Sequence, residues 1–432
     1  MAQGNIRVSG AKNFSIKALA ASILNDGITE FHNLPDNLDV HKTIGMLKYL
    51  GVDVSYDNSK ACEISTKNIK NVLDDNSNAN MIIFLLGAAL IHKFDMVRIP
   101  KNKGCSLGRR ADDFHIMSFE KFGVKCVEND DHYLLEKMNS NDLTKSGLKG
   151  AYIDLPYSSV GATETALFLA IYAHGMSVIN NAAIEPEVGA LITALNSMGA
   201  AIFFESDRKI IVRGVPRINK HVRIDIHGDL LEAATWGILA AVTQGEITVS
   251  GFIPELMGSF FGIFNLMGGK FERVGMDSVK FSRNEEFEGG NVLLETGVFP
   301  ALRTDLQPML AALATVNNST TVIHETVYDK RIDYIDTFKK FGVKAEQFYD
   351  CFGNECRFHN KHLHSAVINS AYDIDAPAEP IDAGTIRNGM AQIILACAAN
   401  GQTTIENIEI VERGYCSLFD KLKSVGIDVV RS

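Results

Sequence analysis

The chain has 432 residues, of which 46% are hydrophobic and 22% are charged, so it is long enough for two domains with buried cores. Its formal net charge of −10 disfavours a nucleic-acid polymer as partner, because phosphate backbones require a basic face, whereas a small anionic ligand needs only a basic pocket. The sequence shows neither an apolar stretch of about 18 residues nor a signal-peptide pattern, and its seven cysteines are scattered. These features predict a cytoplasmic protein that does not bind a membrane.

Six segments of the sequence end in the same way, on an apolar residue, a glycine and usually a small apolar residue. The glycines are Gly51, Gly123, Gly199, Gly268, Gly342 and Gly426. Subtraction of these numbers gives intervals of 72, 76, 69, 74 and 84 residues. Each glycine follows an amphipathic stretch, which predicts a helix that ends in a left-handed cap.

The interiors of these segments also recur, as an Ala-rich apolar run followed by a break and a short β-type stretch. Residues 166–171 and 393–397 predict buried helices, and residues 245–249 and 401–405 predict strands. At about 70 residues each segment is too long for a solenoid repeat of about 20–50 residues. The pattern predicts a globular α/β enzyme built by duplication, with a linker at residues 216–220 between two sets of three repeats.

A loop at residues 101–110 carries a thiol between two glycines and four cationic side chains. Nearby positive charge lowers the pKa of a thiol, and glycine lets a loop approach a ligand closely. Composition alone favours a plainer interpretation, a solvated basic loop in which Cys105 is incidental.

The same loop resembles the active-site loop of the UDP-N-acetylglucosamine enolpyruvyl transferases, where Gly-Cys-x-x-Gly-x-Arg-Pro-x-Asp-x-His is typical. In this chain the pattern runs from Gly104 to His115. The similarity extends along nearly the full chain, through segments at residues 9–13, 159–163, 185–187, 304–307, 325–331 and 413–415. Several ordered motifs at compatible spacings are far more specific than any one of them.

The resemblance implies a fold and a reaction. The family, with the related EPSP synthases, folds as a two-domain inside-out α/β barrel of six βαβαββ units, three in each domain. For this chain we expect one domain from residues 1–11 and 222–432, and a second from residues 12–221 that carries Cys105. The family moves the enolpyruvyl group of phosphoenolpyruvate to a hydroxyl of UDP-N-acetylglucosamine by addition and elimination, and phosphate is released. This reaction serves peptidoglycan and cell-wall synthesis, requires no metal or organic cofactor, and is expected here of a monomer.

The resemblance also implies roles for matched residues. Cys105 matches the general acid that protonates phosphoenolpyruvate and that fosfomycin alkylates, Asp305 matches the base for the acceptor hydroxyl, and Lys12 and Asn13 complete the catalytic set. The residues matching phosphoenolpyruvate-binding cations are Lys12, Arg110, Arg413 and Arg387, with Arg331 a further match. The residues matching nucleotide-binding positions are Asp113, Phe114, Ser159, Val160, Gly161 and Val327. Asp305 and Ser159 have an ordinary alternative, since either could cap a helix.

Several positions depart from the family pattern. Asn80 stands where the family usually has an Arg near the nucleotide, and Tyr157 where it has a Lys. Thr385 replaces an acidic residue, although Asp382 lies three positions before it. Leu230 replaces an Arg, and Ala111 replaces a Pro. Each lost charge-assisted contact costs about 1.5–3 kcal/mol. The departures therefore leave two alternatives open: a paralogue with a different acceptor such as UMP, as in nucleoside-antibiotic pathways, or a non-catalytic nucleotide-binding relative.

A cysteine- and histidine-rich segment is a competing feature. Cys351, Cys356, His359, His362 and His364 fall within fourteen positions. The Cys-x4-Cys spacing is wider than that of common zinc knuckles, and the alternation of the last two histidines fits one face of a strand. We therefore predict an exposed hairpin here and no metal site.

Overall fold

The computed structural model describes residues 1–56, 61–66, 69–73, 82–101, 112–138, 146–353, 358, 361–370 and 373–431. Among these residues the chain divides into two compact units. Of the described residues, those between 10 and 226 form the N-terminal unit, and those in 1–9 and 227–431 form the C-terminal unit. The units thus divide at 9/10 and 226/227, whereas the sequence placed the boundaries at 11/12 and 221/222.

Helices and strands alternate along most of the chain. The strands are β1 (Gln3–Arg7), β2 (Ile28–His32), β3 (Asp53–Tyr56), β4 (Ala61–Ser65), β5 (Met96–Pro100), β6 (Val124–Glu128), β7 (His132–Lys137), β8 (Tyr152–Asp154), β9 (Met176–Asn180), β10 (Ala201–Ser206), β11 (Lys209–Arg213), β12 (Val222–Asp225), β13 (Glu246–Ser250), β14 (Gly269–Arg273), β15 (Ser278–Arg283), β16 (Asn291–Glu295), β17 (Thr320–His324), β18 (Lys344–Phe348), β19 (Ser365–Asn369), β20 (Ile381–Asp382) and β21 (Ile405–Glu406). The α-helices are α1 (Lys12–Ala21), α2 (Leu38–Tyr49), α3 (Ile82–Leu90), α4 (Asp113–Lys121), α5 (Val160–Ala170), α6 (Pro186–Met198), α7 (Leu230–Val242), α8 (Gly258–Leu266), α9 (Gln307–Ala314), α10 (Tyr334–Lys340), α11 (Ile386–Ala396), α12 (Glu409–Glu412) and α13 (Leu418–Ser424). In the described part of the chain, none of these helices has both the length and the apolar character needed to cross a bilayer.

The described strands form six sheets, three in each unit. The N-terminal unit has the strand orders β12-β2-β4-β3, β5-β7-β6 and β8-β9-β11-β10. The C-terminal unit has the orders β1-β13-β15-β14, β16-β17-β19-β18 and β20-β21. The run β8-α5-β9-α6-β10-β11 shows the βαβαββ repeat complete, with a parallel first pair and antiparallel later pairs. The predicted α/β fold of repeated units is confirmed.

The first sheet of each unit is completed by a strand from far along the chain. Strand β1 pairs in parallel with β13, with Gln3 opposite Glu246, and this pairing assigns residues 1–9 to the C-terminal unit. Strand β12 pairs in parallel with β2, with Val222 opposite Thr29. Residues 216–220, predicted as the linker, bond within the N-terminal unit, where the N–H of Asp26 donates to the carbonyl of Ile218 at 3.0 Å.

The local predictions from the repeats agree with the structure. All six repeat glycines have φ between 79° and 124°, the left-handed region that favours glycine at a helix end. Residues 166–171 lie in or directly after α5 and are fully buried, whereas in the predicted run 393–397 the first three residues are buried and the last two, at the end of α11, are half-buried. Strand β13 forms where expected, whereas β21 begins only at Ile405, the last residue of the stretch 401–405 that was predicted as a strand.

Candidate functional site

Asp305 lies in the turn before α9, where two arginine side chains hold its carboxylate. Arg331 Nη2 donates to Asp305 Oδ1 at 2.8 Å, and Arg387 Nε lies 3.6 Å from the same oxygen. Asp305 is 30% exposed, whereas Arg331 and Arg387 are 2% and 8% exposed. The ion pairs favour the ionised carboxylate, which is the form that can accept a proton. The result is a fixed carboxylate that a bound molecule can still reach.

Asp305 does not cap the following helix. Helix α9 begins at Gln307, its N-cap residue is Leu306, and no side chain caps it. The helix-cap alternative for Asp305 is therefore wrong.

Glu325 organises the segment that carries Arg331. Its carboxylate accepts hydrogen bonds from the Thr304 hydroxyl at 2.9 and 3.0 Å and from the backbone N–H groups of Val327 at 2.8 Å and Tyr328 at 3.0 Å. Burial raises the pKa of Glu325, although Arg331 and these donors oppose the rise. We call Asp305, Arg331, Arg387, Thr304 and Glu325 the Asp305 cluster.

Arg387 joins the Asp305 cluster to the Arg413–Tyr415 motif. Its Nη1 donates to the Tyr415 hydroxyl at 3.1 Å, and that hydroxyl bonds Thr235 Oγ1 at 2.9 Å. Burial alone lowers the pKa of Arg387, but Tyr415, Asp305 and Asp229 outweigh it and raise the pKa. Arg387 is therefore a permanent cation.

The Arg413–Tyr415 motif packs closely against the start of α11. A Cβ at Gly414 would lie 2.6 Å from Ile386 Cγ2, so a larger residue does not fit there without a shift. Arg413 follows α12 and is half-buried. The motifs at residues 304–307, 325–331 and 413–415, distant in sequence, therefore meet around Arg387 in the C-terminal unit.

The departure at Thr385 has a structural counterpart. Thr385 is the N-cap of α11, and its Oγ1 accepts the N–H of Asn388 at 3.1 Å. Nearby Asp382 Oδ1 accepts the N–H of Gly384 at 2.6 Å and so shapes the turn before the helix. Threonine thus keeps the cap and supplies no carboxylate.

Lys12 and Asn13 begin helix α1 in the N-terminal unit, and both are half-buried. Lys12 Nζ donates to Asp39 Oδ2 at 3.1 Å, and this carboxylate is only 3% exposed. Just before the helix, a Cβ at Gly10 would lie 2.0 Å from the carbonyl oxygen of Asn33, which explains the glycine in this motif. The ammonium of Lys12 is therefore held in place by a buried partner.

The start of α5 carries the predicted diphosphate segment. Ser159 is the N-cap of this helix, and its Oγ accepts the N–H of Ala162 at 3.4 Å. The alternative that Ser159 is a helix cap is therefore confirmed. Val160 and Gly161 follow in the first turn and are half-buried.

His115 brings the start of α4 next to the start of α5. A Cβ at Gly161 would lie 2.8 Å from His115 Cε1, and His115 Nδ1 lies 2.8 Å from Thr165 Oγ1. The imidazole also stacks on Phe84, with ring centroids 4.4 Å apart. Asp113 and Phe114 occupy the first turn of α4, so the N-terminal unit places these two predicted nucleotide residues near Gly161. Val327, predicted with them, belongs to the C-terminal unit.

A second group of charged side chains lies in α1, in α5 and at the start of α6. Lys17 Nζ lies 2.6 Å from Glu164 Oε1, and Glu164 is 1% exposed. Burial raises the pKa of Glu164 to about 7; Lys17 opposes this, while Glu185 and Glu187 add to it. We call these four residues the Glu164 cluster. Sequence reasoning missed Lys17 and Glu164, although an acidic residue inside an apolar helix was an available signal.

Some predicted residues lie outside the described part of the chain: Cys105, Arg110, Ala111, Asn80, Cys356 and His359. Their assigned roles stay predictions.

The antiparallel pairing of β18 with β19 agrees with the hairpin expected near residue 360, but His364 is not exposed as expected. Neither His362 nor His364 lies in a strand, because β19 begins at Ser365. The side chain of His362 is 44% exposed, whereas His364 is fully buried. His364 instead lies beside Cys351 and His324, a histidine that sequence reasoning did not select.

Comparison with known proteins identifies relatives over the full length. The family model described as EPSP synthase (3-phosphoshikimate 1-carboxyvinyltransferase) matches residues 1–422. UDP-N-acetylglucosamine 1-carboxyvinyltransferase from Protochlamydia amoebophila (strain UWE25) is 35% identical over 437 residues, covering 99% of this chain and 91% of that protein. The protein of the same name from Chlamydia pneumoniae is 35% identical over 433 residues, covering 99% of this chain and 92% of that protein.

Two solved structures share the fold. The enolpyruvyl transferase NikO from Streptomyces tendae aligns with a TM-score of 0.85 at 20% identity, covering 99% of this chain and 95% of that one. EPSP synthase from Acinetobacter baumannii aligns with a TM-score of 0.71 at 15% identity, covering 99% of this chain and 96% of that one. At these identities the likeness concerns the fold alone.

Proposed function

Because the chain belongs to the EPSP synthase family of carboxyvinyltransferases, we propose that it moves the enolpyruvyl group of phosphoenolpyruvate to a hydroxyl of UDP-N-acetylglucosamine and releases phosphate. The observation that carries the proposal is the Asp305 cluster. It combines a partly exposed carboxylate with two buried guanidinium groups, as a base next to anionic substrates requires.

The proposed reaction is an addition followed by an elimination. The acceptor hydroxyl gives its proton to Asp305, and its oxygen bonds to the central carbon of phosphoenolpyruvate. The methylene carbon takes a proton from Cys105 and becomes a methyl group. Phosphate then leaves with the proton held by Asp305, one methyl proton returns to the Cys105 thiolate, and the carbon–carbon double bond is restored. The products are an enolpyruvyl ether and inorganic phosphate, and no external oxidant or reductant is required.

Phosphoenolpyruvate carries a carboxylate and a phosphate, so its recognition requires several fixed cations. We assign this role to Lys12, Arg110 and Arg413. Lys12 belongs to the N-terminal unit and Arg413 to the C-terminal unit. For Arg387 the contact with Asp305 supports a second task, orientation of the base.

The uridine nucleotide is assigned to residues near the starts of α4 and α5 and to Val327. The first group consists of Asp113, Phe114, Ser159, Val160 and Gly161. The contact between His115 and Gly161 supports this grouping, because it brings the two helix starts together. We place the reaction in the cytoplasm and in peptidoglycan synthesis, and we assign the chain the state of a monomer.

A second candidate acceptor, UMP or a related nucleotide, is favoured by Tyr157 and Thr385. Tyr157 is half-buried and carries no charge where a lysine near the diphosphate is expected, and Thr385 serves as a helix cap. An acceptor with a single phosphate needs fewer cations on the nucleotide side.

Phosphate release separates these candidates. The purified chain is mixed with phosphoenolpyruvate and, separately, with UDP-N-acetylglucosamine, UMP or shikimate-3-phosphate, with a control lacking any acceptor. We expect release with UDP-N-acetylglucosamine only. Release with UMP alone would establish the second candidate, and release with none of the three would leave a binding protein.

A further inference from the structure

Three metal-ligating side chains converge at one end of the sheet β16-β17-β19-β18. His324 is the last residue of β17, Cys351 follows β18 by three residues, and His364 directly precedes β19. One donor atom from each lies within 4.8 Å of the other two. From this juxtaposition we infer that His324, Cys351 and His364 bind a zinc ion that takes no direct part in the transferase reaction.

The spacing of the donors suits a tetrahedral ion. Cys351 Sγ and His324 Nε2 are 3.4 Å apart. In a tetrahedral zinc site with Zn–S of about 2.3 Å and Zn–N of about 2.0 Å, sulfur and nitrogen ligands are about 3.5 Å apart. This pair therefore already has nearly the separation that zinc would impose. A donor atom of His364 lies within 4.8 Å of the other two, so a shift of about 1 Å would bring it to a similar distance.

The second nitrogen of each imidazole is already engaged, as in known zinc sites. His324 Nδ1 lies 2.8 Å from a carboxylate oxygen of Glu295, the residue directly opposite it on β16. His364 Nδ1 lies 2.8 Å from the carbonyl oxygen of His362. Carboxylates and backbone carbonyls are the usual partners that fix the tautomer and orientation of a metal-bound histidine. The two contacts favour the tautomer that presents Nε2 as an electron-pair donor.

The donor set selects the kind of ion. One thiolate and two imidazoles suit a borderline-soft cation such as Zn²⁺ and are poor ligands for Mg²⁺ or Ca²⁺, which prefer oxygen. Binding displaces the thiol proton of Cys351 to solvent, and a tetrahedral ion takes one further ligand, in the simplest case water. His324 and His364 are 1% and 0% exposed, so the ion would be partly shielded from solvent.

The inferred ion would support the Asp305 cluster through the backbone. Glu325 directly follows His324, and its N–H donates to the carbonyl oxygen of His364 at 2.7 Å. An ion bound by both histidines would therefore hold the two strand ends that position Glu325. We assign the site a structural role.

Metal content of the whole chain is the direct test. The protein is produced with zinc in the medium, desalted, and measured by mass spectrometry for zinc per chain. We expect about one zinc per chain in the wild type and less than about a tenth in Cys351→Ala. Replacement by Co²⁺ is expected to give the charge-transfer absorption of a cobalt–thiolate bond in the wild type and none in Cys351→Ala.

Three further variants make the test specific. His364→Asn keeps a side-chain N–H near the position of Nδ1 but lacks a donor at the position of Nε2, so zinc is expected to be lost. Glu295→Gln is expected to weaken zinc binding 10- to 100-fold, as for other partners of metal-bound histidines. Cys126→Ala, a half-buried cysteine on β6 in the other unit, is the control and should keep its zinc.

Two results would overturn the inference: wild-type protein that holds less than about a tenth of an equivalent after excess zinc, or equal zinc in Cys351→Ala. Rapid alkylation of Cys351 that zinc does not slow would identify a thiol–imidazole pair instead of a metal site. Should His364→Asn fail to fold, the cysteine variant and its cobalt spectrum decide alone. None of these measurements depends on catalysis, so a failed transferase assay leaves them valid.

Discussion

The Asp305 cluster and the Glu164 cluster both place a carboxylate beside a cation, but they differ in how far that carboxylate is exposed to solvent. Asp305 is 30% exposed and faces two arginines, so its charge is balanced and accessible. Glu164 is 1% exposed, pairs with Lys17, and feels two further carboxylates, and burial raises its pKa to about 7. The comparison shows that burial, together with the two further carboxylates, disfavours the charged form of Glu164 although Lys17 is close, whereas Asp305 is partly exposed and lies beside two cations.

The largest expected effect is that of Asp305→Asn. The amide keeps the shape of the side chain but cannot accept a proton, so turnover should fall about 10²- to 10⁴-fold in the phosphate-release assay. Asp336→Asn, an exposed carboxylate on α10, is the control and should stay near wild-type turnover. If Asp305→Asn kept more than about a tenth of the activity, Asp305 would not be the base.

Arg387→Lys tests whether Arg387, as well as Arg331, is needed to orient the Asp305 carboxylate. The planar guanidinium of Arg387 contacts both Asp305 and the Tyr415 hydroxyl, and the single ammonium of lysine cannot replace both contacts. Turnover should therefore fall about 10- to 100-fold. Loss of the hydrogen bond should lower the free energy of unfolding by about 1.5–3 kcal/mol, measured by chemical denaturation. Arg431→Lys, on the exposed C-terminal segment, is the matched control. Unchanged turnover would show that Arg331 alone orients the carboxylate.

Glu164→Gln tests the other cluster through pH. In the wild type the folded state holds a proton on Glu164 up to about pH 7, whereas the unfolded state loses it near 4.5. The contribution of Glu164 to stability is therefore full below pH 4.5 and declines as pH rises to about 7, by about 3 kcal/mol in total. Relative to the wild type, the variant should gain stability between about pH 5 and about pH 8.

The stability of the wild type and of the variant is compared at each pH because another buried group, His92, changes stability with pH in the opposite sense. Burial lowers the pKa of His92 to about 4, so its contribution is lost as pH falls below 6.5. Since Glu164→Gln also deprives Lys17 of its anionic partner, the double variant with Lys17→Met serves as a control. A difference between wild type and variant that does not change with pH would mean that Glu164 ionises normally.

The smallest effects come from two glycines of the N-terminal unit. Gly161→Ala would place a Cβ 2.8 Å from buried His115, so we expect a loss of about 1–3 kcal/mol in unfolding free energy. Gly189→Ala in α6 meets no atom within 4 Å and should gain about 0.5–1 kcal/mol from helix propensity. Equal effects at the two positions would show that the contact with His115 does not constrain α5.

Local features of the fold could be predicted from the sequence, and long-range ones could not. The six repeat glycines and the apolar interiors of α5 and α11 follow from nearby residues, and the structure agrees. The pairing of β1 with β13 joins Gln3 to Glu246, which no local pattern reveals.

Contacts between distant residues of the candidate site could not be predicted from the sequence either. Motif resemblance selected Asp305 and Arg387 individually, but their contact depends on how α9 and α11 pack. Lys17 and His324 were missed because their partners, Glu164 and Cys351, are distant in sequence. The chemistry of a residue type is readable from the chain, whereas its partner is set by topology.

The addition–elimination reaction is tested most directly by running it in deuterium oxide with phosphoenolpyruvate and UDP-N-acetylglucosamine and examining the product by mass spectrometry and NMR. Since the methylene carbon passes through a methyl group before elimination, the account predicts an enolpyruvyl product with deuterium on its vinyl carbon. A product without deuterium, or no enolpyruvyl product while the folded protein binds both substrates, would contradict it.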